Sequence, residues 1–342
     1  MTGSRLPVGA ALVNRVLGGG ILGRTPFARL VVFTVAVFVS MTLLVGSDRF
    51  LTTANFQSIA FQLPELALLS FAMMLSMLTG GIDLSVVSIA NLSSIVAAMT
   101  MVHVLRGQAG AGGDAIAIAA GVGAGVCTGL ACGLVNGCAV AFVRVPSILV
   151  TLGTLQLFTG LALVLTGGQA IIGLPDSFQW LGNGTLLAVP VPLWLCAAGA
   201  AVMAVVINRT AFGVEARLVG TNPIAAWFAA LPVRSVLVRT YVTTALVSSV
   251  TGLLMVSRAN SAKADYGSSY LLQSSLVVVL AGVDPAGGSA RVAGVGLAVF
   301  ALELLSSGFG MMRLTSFATE LAWGAFLLLV MVINSVLERR GK

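Results

Sequence analysis

The chain has 342 residues, of which 58% are hydrophobic and only 8% charged, whereas soluble domains carry roughly 45–50% and about 25%. Eighteen Lys and Arg, 11 Asp and Glu and a single His cannot coat a soluble protein of this size, which excludes an ordinary water-soluble domain and makes lipid the solvent. The net charge of +7 does not mark a nucleic-acid binder, because the basic residues are scattered through short loops rather than gathered on one face.

At about 20 residues per crossing, the apolar runs predict an all-α polytopic membrane protein of about ten transmembrane helices. A basic segment, residues 1–29 with Arg5, Arg15, Arg24 and Arg29, precedes span 1, Leu30–Val45. It is not read as a cleavable signal, since no small-residue cleavage site followed by a soluble domain comes after it. Asn55–Leu63 either lies at the interface or lengthens span 2, Glu65–Thr79, which stops at Gly80-Gly81. Span 3, Leu84–Val102, is followed by the glycine-rich loop Gly107–Gly113. Spans 4 and 5, Ala115–Phe142 and Ser147–Leu165, flank Arg144-Val145-Pro146. Span 6, Ala188–Ile207, leads into the longest polar connection, Asn208–Arg239, and spans 7 to 10 are Thr240–Val256, Leu271–Val283, Val292–Leu305 and Phe317–Val336. Residues 30–338 are thus expected to form one transmembrane domain with a loop at about 208–239.

Placing the N-terminus inside leaves five of the 18 basic residues outside, Arg49, Arg106, Arg258, Lys263 and Arg313, and thirteen inside. That bias follows the positive-inside rule and predicts both termini in the cytoplasm of a multi-pass inner-membrane protein. The helices are rich in small residues, with Gly121, Gly123, Gly125, Gly129 and Gly133 in span 4 alone. In lipid such a stripe reads as close helix packing rather than a ligand box. Cys127, Cys132, Cys138 and Cys196 lie in apolar runs without a CxxC pair and read as packing residues rather than disulfides or metal ligands.

Polar groups at membrane depth are the functional candidates. Asp83 follows a pair of glycines that breaks a span, and Asp83, Ser85 and Ser88 open the next helix. This pattern suits helix capping, and it also suits a broken helix that exposes polar groups to a translocation cavity. Ser85, Ser88 and Asn91, spaced by three, share one helix face, and Asn136, Thr151, Thr154 and Gln156 add polar groups in apolar surroundings. Glu65, Glu303 and Glu320 have no His or Lys partner in their own spans, which argues against a proton relay. No phosphate-binding GxxxxGK[ST] loop, HExxH or GxSxG motif occurs, so no catalytic residue, metal or cofactor is expected. Any nucleotide energy has to come from another chain. The loop Asn208–Arg239 is the place for that chain to dock: Pro223–Ala230 reads as a short helix with an exposed aromatic, and solvent alone does not explain Ala225-Ala226-Trp227-Phe228-Ala229-Ala230 on a cytoplasmic surface.

From about Asn55 to Asn334 the chain resembles the permease subunits of bacterial ribose-type sugar ABC importers, which also serve xylose, rhamnose, galactofuranose and autoinducer-2. The motifs that carry the resemblance are Gly80-Gly81-Ile82-Asp83-Leu84-Ser85-Val86-Val87-Ser88, with Val87 for the usual Gly, Gly133–Gly137, and Val145–Thr154. Phe212-Gly213 through Gly220-Thr221-Asn222-Pro223 and Val278–Gly294 with Gly287-Gly288 complete the set. The resemblance implies a passive pathway with an ABC ATPase, a periplasmic sugar-binding protein and a second permease subunit, the same or paralogous, as partners. It implies ATPase coupling through Arg217, Gly220, Asn222, Ala225, Ala226, Trp227 and Phe228, and adds Gln273, where the family commonly has Asp, to the pathway residues. The chain has Ala229-Ala230-Leu231 where the family usually has Ser-Gly-Ile, which fits a divergent member that pairs with a different permease. An ATP-independent secondary transporter and a branched-chain amino acid permease are the alternative classes. The scarcity of paired intramembrane charge argues against the first, and the hydroxyl-rich candidates against the second.

Overall fold

A computed structural model describes residues 26–107 and 113–341. Most of the basic N-terminal segment, the centre of the glycine-rich loop and Lys342 lie outside the described residues. Between its loops the described chain is helical apart from one two-stranded hairpin and a bridge between Ile171 and Ala262. Among the described residues, eight helices are long and apolar enough to cross a membrane. Helices α1 (Pro26–Val45), α3 (Thr53–Leu78), α4 (Val86–Gly107) and α5 (Gly113–Cys138) are joined by the short α2 (Ser47–Phe50) and by loops. Then come α6 (Ser147–Thr166), the short α7 (Asp176–Asn183) and α8 (Val191–Arg209). Two cap-like helices, α9 (Ala211–Thr221) and α10 (Pro223–Phe228), precede α11 (Val233–Ala259), α12 (Tyr270–Leu280), α13 (Val292–Met311) and α14 (Ser316–Gly341).

Burial sorts these helices into a core and a ring. In their most apolar windows α3, α4 and α11 are 72% buried and α13 61%, against 22–28% for α1, α5, α6 and α8. Apolar residues all round a helix cost nothing when the outer side meets lipid, so the ring helices expose Leu43, Leu157, Val164 and Val202 freely. Glycines set the spacing inside. A methyl group at Gly129 or Gly133 of α5 would press into Ser249 or Ala245 of α11, and one at Gly252 would overlap the Ala90 carbonyl of α4. Within the glycine stripe of span 4, Gly129 and Gly133 thus form the α5–α11 contact, Gly121 and Gly125 lie against Met101, Ala97 and Ser93 of α4, and Gly123 has nothing within 4 Å.

Helix α11 carries Thr240, Thr243, Thr244, Ser248, Ser249 and Thr251, each of whose hydroxyls donates to a carbonyl three or four residues earlier. These local bonds satisfy the polar side chains without recruiting a neighbour, except that Thr244 shares its hydrogen between the Tyr241 carbonyl and Asp83.

Several expected boundaries shift. Asn55–Leu63 is continuous with span 2, in a single helix that passes through Pro64 and is capped by Thr52, whose hydroxyl accepts from the Asn55 N–H at 3.2 Å. A membrane helix tolerates the missing donor because neighbouring groups re-satisfy the freed carbonyl. Span 6 starts three residues late: Thr185–Leu186 and Val189–Pro190 form an antiparallel hairpin, and Leu187 and Ala188 at its tip have φ of 53° and 64°. Both central residues in the left-handed region match the turn whose twist suits a tight hairpin. Of the ten expected spans, α12 is short, at 11 residues, whereas α14 runs for 26.

A broken helix and its coupling segment

Between α3 and α4 the chain leaves helical geometry but keeps its polar groups paired. Gly80, at φ 78°, turns the chain, its N–H and that of Gly81 donating to Met77 and Ser76 carbonyls. The Ser76 hydroxyl then accepts the Asp83 N–H at 3.2 Å. Asp83 is completely buried. Its Oδ1 accepts from the N–H and hydroxyl of Ser85 at 2.9 and 2.6 Å, and its Oδ2 from the Thr244 hydroxyl of α11 at 3.2 Å. A carboxyl group stripped of water needs such donors. The Ser85 hydroxyl in turn accepts from Nδ2 of Asn136 on α5 at 2.7 Å, and the Thr151 hydroxyl of α6 donates to the Ile82 carbonyl at 3.0 Å. Four helices thus converge on the break.

The sequence candidates divide accordingly. Asp83, Ser85, Asn136 and Thr151 meet at the break. Ser88 closes back on the Ser85 carbonyl and Thr154 on the Thr151 carbonyl. Asn91 reaches further, donating to the Ala264 carbonyl at 2.9 Å. The expectation that Ser85, Ser88 and Asn91 share a face of α4 is corrected in one respect, since Ser85 precedes the helix and faces Asp83 instead. Gln156 is exposed on the outer side of α6, away from the cluster, and the buried Gln273 on α12 makes no side-chain hydrogen bond to it. Thr244 and Tyr241 escaped the sequence reading. Their spacing with Ser248 along α11, three and four residues, is the signal that could have found them. Tyr241 lines a cavity of about 300 Å³ beside the break together with Thr79, Gly80, Gly81, Arg144 and Ser147. Asn136 has one further feature: its Oδ1 is buried with no donor among the described residues.

The segment formed by α9 and α10 touches this break directly. Helix α9 is capped by the Thr210 hydroxyl, which accepts from Gly213 N–H at 3.2 Å, and α10 by Asn222, whose Oδ1 accepts from Ile224 and Ala225 N–H at 3.0 and 2.9 Å. Pro223 at the first helical position needs no donor. Gly220 is buried where a Cβ would overlap the Leu78 carbonyl and stand 2.7 Å from the Gly288 nitrogen. Gly287, at φ 101°, lies so close that its Cβ would be 2.7 Å from the Gly220 carbonyl and 2.8 Å from the Gly80 nitrogen. The Gly288 N–H donates to the Leu78 carbonyl at 3.0 Å. Backbone therefore meets backbone among the end of α3, the end of α9 and the turn before α13.

On the other side of the segment Ile224, Trp227 and Phe228 are 68%, 66% and 77% exposed. The two rings pack edge to face with centroids 5.1 Å apart. Arg217 donates to Asn208 Oδ1 at 2.6 Å, Ala226 is buried and Ala225 exposed. Ala230 takes a left-handed φ of 60°, a conformation that costs an L-residue roughly 1–2 kcal/mol. Ala230→Gly is expected to raise stability by about 0.5–1 kcal/mol, the relief being partly offset by glycine's chain entropy. The midpoint of thermal unfolding of the purified chain measures it.

A second polar cluster, missed from sequence, lies where the other end of α11 meets α3 and α12. Arg258 forms a 3.1 Å ion pair with Glu65, and the Tyr270 hydroxyl donates to the second Glu65 oxygen at 2.9 Å. Glu65 has no His or Lys partner in its own span, and its cationic partner is an arginine from α11, 193 residues away. Glu303 is buried, whereas Glu320 is exposed and stands apart.

Comparison with known proteins follows the same line. A family model described as branched-chain amino acid transport system / permease component matches residues 55–335. The autoinducer 2 import system permease protein LsrD of Yersinia enterocolitica is 33% identical over 264 residues, 75% of this chain and 76% of its own length. The protein of that name from Photorhabdus temperata is 33% identical over 227 residues, covering 65% of this chain and 68% of the relative. No solved structure matches the chain significantly. The buried polar break and the aromatic segment beside it thus belong to a chain that is a member of this permease family, a multi-pass inner-membrane permease subunit of an ABC importer.

Proposed function

We propose that this permease passes a sugar or sugar-like solute through a pathway at the α3–α4 break, driven by an ATPase that docks on Trp227 and Phe228. The observation that carries the coupling half is the backbone contact between Gly220 and the Gly80 turn, because a push on α9 and α10 reaches the Asp83 cluster without a side chain to absorb it. The relatives are named for import of autoinducer 2, which is the solute to test first. The buried hydroxyl and amide groups around Asp83 favour a neutral hydroxylated solute. The amino acid reading in the family description is the alternative that the same uptake assay decides.

Ten crossings with both termini in the cytoplasm fit the basic-residue bias. In this arrangement residues 1–29 are a cytoplasmic segment, residues 30–338 the transmembrane domain, and the loop at 208–239 the cytoplasmic coupling element. A periplasmic sugar-binding protein delivers the solute, and a second permease, the same or paralogous, completes the pathway. Asp83, Ser85, Ser88, Asn91, Asn136, Thr151, Thr154, Gln156 and Gln273 are the proposed pathway residues, with Gln156 on the exposed face of α6 and so available to a partner helix rather than to this chain's own cavity. Alternating access follows if nucleotide binding moves α9 and α10 between two positions.

Replacing both Trp227 and Phe228 with Ala is expected to reduce stimulated ATPase activity of the assembled importer by more than about tenfold, the loss of two aromatic anchors at a docking surface. Membrane insertion should be normal. Unchanged stimulation and uptake would remove the coupling assignment.

A further inference from the structure

We infer that the Glu65–Arg258 pair forms a second solute subsite, one that takes neutral hydroxyl-rich molecules at the end of the bundle away from the glycine contact. Resting on the sugar-import reading, it adds a site that the pathway residues do not include. The pair borders a cavity of about 350 Å³ lined also by Met255, Tyr266, Gly267 and Tyr270. Glu65 lies thirteen residues before Leu78 on α3, about 20 Å along the helix, so this cavity is distinct from the one at the break.

Its chemistry selects a class of ligand. Glu65 is 5% exposed and spends one oxygen on Arg258 and the other on Tyr270. Arg258 donates to Glu65 through Nη1, and its side chain, 28% exposed, lines the cavity. A carboxylate beside a guanidinium offers an acceptor and donors within one hydroxyl's reach of each other, the arrangement that two neighbouring hydroxyl groups satisfy together. The charges of the pair offset each other, so a charged ligand has to break a buried ion pair to gain a partner. Tyr266 supplies an aromatic wall, held by a 2.7 Å hydrogen bond between its hydroxyl and that of Ser261, against which the C–H face of a ring-shaped polyol can pack. Cavities of this volume with a few convergent polar groups are typical small-molecule sites.

The test uses the purified full-length permease in lipid nanodiscs, with D-xylose as probe and leucine as control. A ligand that binds only the folded chain raises the unfolding midpoint with concentration. Xylose is expected to raise it by about 2–4 °C at roughly a hundred times its dissociation constant, and leucine not at all. Two variants separate the subsite from the break. Glu65→Gln removes the pairing charge, and Tyr266→Ala removes the wall while leaving the ion pair intact, so it stands even if Glu65→Gln fails to fold. Loss of the xylose shift in Tyr266→Ala, with the shift kept in Gly153→Ala, whose new Cβ meets nothing within 4 Å, supports the subsite. An equal shift in Tyr266→Ala, an equal shift with leucine, or none in the unaltered chain overturns it. Solute uptake by the assembled importer tells the two levels apart. If no sugar is taken up, the sugar reading fails; if uptake persists with unchanged KM in Tyr266→Ala, only the subsite fails.

Discussion

Gly220→Ala is expected to abolish coupled transport in a chain that still reaches the membrane. The added methyl meets no flexible side chain that can swing aside. It overlaps the Leu78 carbonyl and approaches the Gly288 nitrogen to 2.7 Å, both main-chain atoms, and Leu78 O already accepts the Gly288 N–H. Accommodation requires α9 to back away from the end of α3, at a cost of about 1–3 kcal/mol or more. That displacement removes the contact through which motion of the coupling segment reaches the break. Uptake should fall at least about a hundredfold, as a misplacement of about 1 Å at a positioned site can, while ATPase activity continues uncoupled. Gly153→Ala on α6, where nothing lies within 4 Å of the new Cβ, is the matched control and should behave as the unaltered chain. If Gly220→Ala transports normally, the glycine contact does not carry the coupling.

Asp83→Ala is expected to be the most damaging single change at the break itself. It removes the acceptor of the Ser85 N–H and the Ser85 hydroxyl at once, and the second of the two acceptors shared by Thr244, which keeps the Tyr241 carbonyl. Ser85 is also the acceptor for Asn136, so the loss reaches α5 as well as α11. Each buried donor left without a partner costs about 1–3 kcal/mol, and coupled networks lose more than isolated pairs. Destabilisation of about 3–5 kcal/mol with loss of uptake is the expected result. Asp83→Asn keeps an acceptor for Ser85 but turns an amide or a weaker acceptor toward Thr244, and should lie between the two. Thermal unfolding of the purified chains ranks the three. Equal midpoints for Asp83→Ala and the unaltered chain would show that the break is held by something other than this carboxyl.

Much of the architecture was legible because lipid imposes simple rules. A run of some 20 apolar residues has one structural outcome, so the eight long helices coincide with expected spans, save where α3 reaches back through Asn55–Leu63, α11 through part of the loop, and α4 and α13 run on to Gly107 and Met311. Glycines announced close packing in α5 for the same reason. Local signals failed where backbone geometry was set by context. Leu187 and Ala188 are not residues that advertise a turn with positive φ, and Pro64 ordinarily ends a helix. At the site, the three glycine pairs or singles at 80–81, 220 and 287–288 were each visible as motifs, but nothing in a linear chain says that they touch. The same holds for Arg258. Its place near the end of a span made it look like one more interfacial charge, and only the fold brings it to Glu65. Asp83 was legible as a helix break, whereas its partner Thr244, 161 residues away, was hidden among hydroxyls that look alike in sequence.

Those hydroxyls on α11 have a consequence of their own. Each of the six has a carbonyl of the same helix as an acceptor, and of the six only Thr244 reaches a second one, on Asp83. All but Thr243 are completely buried, on a helix packed against α3, α4 and α5. The helix therefore meets these neighbours with polar groups that are already satisfied and ask for no partner there. A shift of α11 has one bond from this set to break, and that bond ends on the buried carboxyl at the break.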